Sequence, residues 1–290
     1  MKFSGCYTAL VTPFKDGAVD WDSLASIIEA QIVGGVSGLL PVGTTGESPA
    51  LGYDDHMEVI AFVVKQVKGR CQIIAGTGAN STEEAIMLTR KAKALGVDAT
   101  LQVTPYYNKP SQEGLFRHFT AVAEAVDLPI VLYNVPGRSG VPIAIDTVKR
   151  LSAHKNIQCI KEAAGSVDRV SEIKNCCEMA VLSGDDALTL PMISVGACGV
   201  ISVASNVIPQ EMQQLCDKAS AGDFSGALEI HNKFYQFFCD EFIETNPMPI
   251  KAAMAMLGQL EEEYRLPMCE ISHGNRETLK ETMINCGILK

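Results

Sequence analysis

Eight short runs of β-branched and apolar residues recur along this chain, each followed by a segment with helical periodicity. That alternation limits the possible fold more than any other feature. The runs are YTALVTP (7–13), GLLPVG (38–43), QIIAGTG (72–78), ATLQVTP (99–105), PIVLYNVP (129–136), QCIKEAAG (158–165), MAVLSGD (179–185) and GVISVASN (199–206). Between them, stretches such as WDSLASIIEAQI and TEEAIMLTRKAKAL repeat apolar positions at three- and four-residue steps. Strands that alternate with helices pair in parallel. Eight such units with nearly continuous apolar strands favour a closed (β/α)8 TIM barrel over an open doubly wound sheet. The first strand–helix turn also lacks the G-x-G-x-x-G of a dinucleotide fold. Asp20, Ser81 (with Glu84 three residues on) and Ser111 stand where helices should begin. Gly35, Gly69 and Gly96 stand where helices should end on a positive φ. After residue 222 the strand signal stops, and the remaining segment reads as helices broken by Asn246-Pro247-Met248-Pro249. The expected division is a barrel over 1–222 and a C-terminal helical extension over 223–290.

Composition removes several function classes. The formal charge is −10 with no basic stripe, which argues against a nucleic-acid partner. No run approaches the roughly 18 apolar residues of a membrane span. The apolar run near the N-terminus stops at Pro13, too short for a secretory signal, so a cytoplasmic protein is expected. Ten cysteines without a C-x-x-C pair read as free thiols, mostly buried, in a reducing compartment. His56, His118, His154, His231 and His273 show no metal-ligand spacing, so no metal is expected.

Barrel active sites lie at the C-terminal ends of the strands. Those ends hold Thr12, Gly43-Thr44-Thr45-Gly46-Glu47, Thr77, Tyr106-Tyr107-Asn108, Tyr133-Asn134, Arg138, Lys161-Glu162, Asp185-Asp186 and Ser202-Val203. Lys161 stands out because it interrupts an apolar strand, between Ile160 and Ala163-Ala164. Lysine is seldom placed in a core without a purpose. An amine sunk in apolar surroundings loses part of its preference for the ammonium form and becomes available as a nucleophile for a carbonyl carbon. The competing reading is a structural Lys161–Glu162 pair, which strand geometry disfavours because neighbours point to opposite faces. Tyr133 ends the preceding strand at a similar height, either as a proton shuttle or as a core aromatic with a satisfied hydroxyl. The GTTGE turn offers hydroxyls and backbone N–H groups to a carboxylate and lacks the G-K-[ST] of a Walker loop.

Together, GLLPVGTTGES (38–48), TPYYNKP (104–110), YNVPGRSG (133–140), IKEAAG (160–165), GVISVASN (199–206) and NPMPIK (246–251) resemble the dihydrodipicolinate synthase family. That family belongs to the pyruvate-dependent, N-acetylneuraminate lyase-like aldolases. The resemblance runs from residue 3 to at least 268, through RLPM. It implies Schiff-base chemistry without a cofactor. Lys161 condenses with pyruvate, the enamine attacks L-aspartate 4-semialdehyde, and transimination frees the lysine, giving 4-hydroxy-tetrahydrodipicolinate on the route to diaminopimelate and lysine. By the same resemblance Tyr133, Thr44 and Tyr107 form a proton relay, with Tyr107 crossing from a neighbouring subunit. Thr45 and the backbone of Val203 hold the pyruvate carboxylate, and Arg138 receives the semialdehyde carboxylate. Ser48, Pro49, His56, Asn80, Glu84 and Tyr106 match a site for L-lysine as feedback inhibitor. The implied assembly is a homotetramer, a dimer of dimers.

The pattern has departures. Tyr53 stands where many lysine-regulated members have His, and Asp55 where Glu is usual. Glu84 also has a plain alternative, closing a capping box with Ser81. Sialic-acid lyases resemble this chain at the GxTGE turn and at the lysine, but carry an apolar residue at the Arg138 position. Arg138 therefore favours the synthase over a 2-keto-3-deoxy-sugar acid or N-acetylneuraminate lyase. The set Lys161, Tyr133, Thr44 and Tyr107 argues against a barrel that merely binds lysine or keto acids.

Overall fold

The computed structural model of the protein describes residues 2–290. Its barrel strands are β1 (Gly5–Ala9), β2 (Gly38–Leu40), β3 (Gln72–Gly76), β4 (Ala99–Val103), β5 (Ile130–Asn134), β6 (Ile157–Glu162), β7 (Ala180–Ser183) and β8 (Gly199–Ser202). They pair in parallel and in chain order, and β8 returns to β1, so the sheet closes as expected. The apolar runs overshoot the strands by two to four residues at their C-terminal ends. There the chain leaves the sheet for the turns at the barrel mouth, while staying apolar enough to look like strand.

The helices that follow β1 to β8 are α1 (Trp21–Val33), α2 (Tyr53–Val67), α3 (Thr82–Leu95), α4 (Gln112–Ala125), α5 (Ile145–Leu151), α6 (Asp168–Cys176), α7 (Thr189–Ser194) and α8 (Pro209–Ser220). Their starts obey the side-chain signals. Asp20 accepts from the Ser23 N–H, Ser81 from that of Glu84, and Ser111 from that of Gly114. Gly35, Gly69 and Gly96 take positive φ where α1, α2 and α3 end.

Side chains alternate between two cores. Val131 and Tyr133 of β5 and Cys159 of β6 belong to the cluster that fills the barrel. Leu132 and Ile160 belong to the larger cluster between barrel and helices. This period of two sends Lys161 inward and Glu162 outward.

Three further helices come after the barrel: α9 (Phe224–Asp240), α10 (Met248–Met256) and α11 (His273–Asn285). The break expected at Asn246-Pro247 separates α9 from α10. Residues 257–272, expected to be helical, form no helix. Their backbone is engaged elsewhere: the Glu263 carbonyl accepts from Lys251 and the Arg265 N–H donates to Glu47. A small hairpin, Phe14–Lys15 against Ala18–Val19, was not expected either. Its turn residues Asp16 and Gly17 both have positive φ, which suits the twist of a two-residue hairpin. All ten cysteines are free. Four are buried (Cys6, Cys159, Cys216 and Cys286), while Cys239 and Cys269 are exposed, so the expectation of mostly buried thiols holds only in part.

Candidate active site

β5 and β6 pair with Tyr133 opposite Lys161 and Asn134 opposite Glu162. Inside the barrel, Lys161 is 6% exposed and its Nζ lies 4.5 Å from the centre of the Tyr133 ring. Outside it, Glu162 is fully buried and belongs to a separate network. It accepts from Asn134 Nδ2 at 2.8 and 3.0 Å, from the Ala164 N–H at 2.9 Å and from Arg169 at 3.4 Å. Burial raises the Glu162 carboxyl above its usual range, against the pull of Arg169 and Asn134. The structural Lys161–Glu162 pair is thereby ruled out. Among the described residues, Lys161 has neither an ion pair nor a hydrogen-bond partner.

Gly184, just beyond β7, makes room for this amine. A Cβ there would stand 2.9 Å from Lys161 Cε and 2.6 Å from the Ala163 Cβ. Nothing in the sequence marks this glycine, because a glycine after a strand looks like an ordinary turn.

The GTTGE turn is tied down from both sides. Gly46, Glu47 and Ser48 N–H groups donate back to Gly43 and Thr44 carbonyls, and the Thr12 hydroxyl donates to the Gly46 carbonyl at 2.7 Å. Thr45 is buried and its hydroxyl accepts from Asn246 Nδ2 at 3.0 Å. The Asn246 carbonyl accepts from Arg138 Nη2 at 3.2 Å. Asn246 thus links the turn to Arg138, which sits on the single helical turn Pro136–Ser139 after β5. The NPMPIK motif contains Asn246, but nothing local to it reveals these two partners.

Glu47 has φ +55 and a buried carboxylate. Lys251, on α10, donates to Glu47 Oε1 at 2.6 Å and to the Thr12 and Glu263 carbonyls at 3.1 and 2.5 Å. The Arg265 N–H donates to Glu47 Oε2 at 3.0 Å. Burial pulls Lys251 below the ordinary lysine range while Glu47 opposes the shift. Across the mouth, the Val203 N–H donates to Asp186 Oδ2 at 2.9 Å and its carbonyl accepts from Asn206 Nδ2 at 2.9 Å.

A cavity of about 420 Å³ opens at this mouth. Thr44, Tyr133 and Arg138 line it, and so do Ser48, Pro49, His56, Glu84 and Tyr106. Asn80 does not line it but donates from Nδ2 to the carbonyl of Tyr106, which does, at 3.2 Å. His56 bonds the Gly76 carbonyl at 2.8 Å, and burial lowers its pKa, which favours the neutral ring. Glu84 lines the cavity, and its backbone N–H donates to the capping Ser81 Oγ. Among the described residues its carboxylate accepts no bond from the Ser81 N–H, so the capping box is not closed. Tyr53 lies under the Lys91 ammonium, and Asp55 is ion-paired with Arg265 at 2.6 Å.

Lys161, Thr45, Val203, Asn80 and Tyr107 are not among the residues that line the cavity, and Tyr107 stands farthest apart in exposure, at 90%. The Asn108 N–H donates to the Tyr106 carbonyl, closing a tight turn about Tyr107, whose φ is +70. Among the described residues, no group of three His, Cys, Asp or Glu side chains is placed to hold a metal ion, and no helix is long and apolar enough to cross a membrane.

The arrangement is a buried primary amine beside a phenol, and that phenol lines one cavity together with Thr44 and the Arg138 guanidinium. That set suits imine chemistry on a small keto acid. Comparison with known proteins agrees. A 4-hydroxy-tetrahydrodipicolinate synthase of Pelobacter propionicus is 51% identical over 99% of this chain and 100% of its own. A solved dihydrodipicolinate synthase of Acinetobacter baumannii, complexed with pyruvate, is 44% identical with a TM-score of 0.98, covering 99% of this chain and 100% of that one. A lysine-bound dihydrodipicolinate synthase of Cyanidioschyzon merolae is 41% identical with a TM-score of 0.96 and covers 99% of both chains. The model of the dihydrodipicolinate synthetase family matches residues 2–285, and this chain belongs to that family.

Proposed function

We propose that this enzyme condenses pyruvate with L-aspartate 4-semialdehyde to 4-hydroxy-tetrahydrodipicolinate, a step of diaminopimelate and lysine biosynthesis. The observation that carries the reading is Lys161, a buried amine without an acidic partner, packed against a phenol at the mouth of a barrel. The lysine nitrogen adds to the pyruvate ketone and water leaves, giving an imine. Loss of a methyl proton gives the enamine, whose carbon attacks the semialdehyde aldehyde. The new alkoxide takes a proton. The α-amine of the same substrate then adds to the imine carbon, the bond to Lys161 breaks, and the ring is closed.

Tyr133 moves protons at the lysine nitrogen, from its place opposite Lys161 in the strand register. Thr44 and the partner subunit's copy of Tyr107 extend that relay. Thr45 and the Val203 N–H hold the pyruvate carboxylate, the Val203 N–H being shared between that carboxylate and Asp186 Oδ2. Arg138 binds the carboxylate of the second substrate with its planar fork. Ser48, Pro49, His56, Glu84 and Tyr106 of the cavity lining, together with Asn80, take L-lysine as a feedback inhibitor, with Glu84 as partner for an ammonium. Barrel (1–222) and helical extension (223–290) work as one unit in a cytoplasmic homotetramer.

Pyruvate with borohydride should fix mass on the peptide holding Lys161, and turnover should require aspartate semialdehyde. Cleavage of N-acetylneuraminate instead would move the enzyme to the lyase branch. The shared site has its own test, because neither Tyr107→Phe nor Lys161→Ala chains should work alone. Their mixture should recover up to about a quarter of wild-type activity, the limit for random pairing across a twofold interface. Subunit exchange confirmed by mass spectrometry without recovery would place Tyr107 outside the partner's site.

A further inference from the structure

Glu241 lies just after α9 and is fully buried, and its carboxyl faces that of buried Asp186 beyond β7. Among the described residues, no donor reaches either Glu241 oxygen or Asp186 Oδ1. Among the described residues neither carboxyl is in an ion pair, and the largest titratable influences on Glu241 are acids and a thiol. Asp185 and Cys239 face Glu241, while Cys6 of β1 and Cys216 of α8 face Asp186. Two carboxylates in contact, away from water and without a cation, cannot both ionise at ordinary cost. One must hold a proton between them. The Asp186 Oδ2 atom is already occupied, accepting from the Val203 N–H at 2.9 Å and the Ala204 N–H at 3.2 Å.

We propose that Glu241 is a protonated donor to Asp186 Oδ1, and that this acid–acid pair positions the 203–204 backbone at the end of β8 for pyruvate. Glu241 is then a positioning residue that acts through Asp186 and never touches substrate. This inference rests on the assignment of the Val203 backbone to the pyruvate carboxylate. Burial and the Asp186 carboxyl push Glu241 well above its usual range, in keeping with a proton retained at neutral pH. Unfolded Glu241 releases its proton as pH rises through the ordinary value of 4.5, whereas folded Glu241 keeps it. Stability contributed by this residue therefore falls as pH rises above that value. A glutamine, which donates without a proton to lose, escapes the penalty.

The test compares wild type, Glu241→Gln and Glu241→Leu. Glu241→Gln should melt higher than wild type at pH 8, with the gap closing toward pH 4.5, and should keep pyruvate KM within about twofold. Glu241→Leu removes the donor and should raise pyruvate KM about tenfold with a smaller change in kcat. Infrared difference spectra of wild type against Glu241→Gln, two chains that both retain a donor, keep the question open to measurement even if Glu241→Leu does not fold. A protonated-carboxyl C=O band should persist in wild type at pH 8 and be absent from the variant. Its absence from wild type would overturn the acid–acid pair in favour of an ionised pair bridged by a cation. A band that is present, with pyruvate KM unmoved in a folded Glu241→Leu, would leave the pair standing. It would overturn its positioning role alone, whereas loss of pyruvate binding on replacing Asp186 but not Glu241 would keep the Val203 contact.

Discussion

Lys161 and Lys251 are both buried amines, one on a barrel strand and one on a helix of the C-terminal extension. Lys251 has a carboxylate and two carbonyls within hydrogen-bond distance, so its ammonium is fully committed. Lys161 has a phenol ring beside it and no acceptor among the described residues. Depth of burial is therefore a poor guide to role, since the deeper of the two is the inert one. What separates them is the number of acceptors. An amine surrounded by acceptors has its N–H groups spent on support, whereas one left without them is free to meet a carbonyl carbon.

Swapping each lysine in turn separates chemistry from support. Lys161→Ala should lower turnover by at least ~10³-fold and abolish the borohydride adduct, with melting temperature unchanged or raised. An adduct of undiminished yield in that variant would move the covalent amine elsewhere. Lys251→Met leaves Glu47 buried without its cation and should cost about 3–5 kcal/mol of stability, read by denaturant unfolding. Below its melting point the variant should still form the adduct at Lys161. Replacing both partners, Glu47→Gln with Lys251→Met, should recover most of that stability, because an apolar or neutral substitute for a whole buried pair is often tolerated. If the double variant is no better than the single one, Lys251 works mainly through the two carbonyls.

Arg138 tests how far the unpaired amine acts independently of substrate choice. Arg138→Leu should cost about 2–4 kcal/mol in kcat/KM for aspartate semialdehyde while leaving the pyruvate imine intact. Equal damage to both half-reactions would make Arg138 a structural partner of Asn246. The smallest expected effect is at Gly184, where Ala would crowd Lys161 Cε and the Ala163 Cβ. An overpacking cost of about 1–3 kcal/mol is expected. Adduct formation should slow more than melting temperature falls, and a fully active Gly184→Ala would show that Lys161 has room to spare.

The active amine is easier to read from the sequence than its inert counterpart. Lys161 interrupts an apolar strand, and Tyr133 ends the strand before it, so period and position suffice to bring them together. Lys251 sits in a helical segment like many surface lysines, and its partner Glu47 is 204 residues away, which leaves no local trace. The Asp186–Glu241 pairing is hidden for the same reason. Tertiary engagement also explains the non-helical residues 257–272, whose backbone groups serve Glu47 and Lys251. The hairpin at Asp16-Gly17 is legible in principle, since Asp-Gly is a strong two-residue turn signal. Roles for Thr45, Val203 and the cavity residues come from family resemblance, because a threonine or a valine after a strand carries no chemical mark of its own.

The placement of Arg138 also bears on how such a catalyst can diversify. Lys161 and Tyr133 are locked into adjacent strands by shared backbone pairing, and a slip of one residue in either strand would turn its own side chain outward. Arg138 rides on a four-residue turn outside the sheet, anchored by a single bond to Asn246. Inheritance can therefore preserve the nucleophile while the acceptor is exchanged. Grafting a different segment between the end of β5 and the start of α5 should redirect the enamine to a new aldehyde, with the barrel itself left untouched.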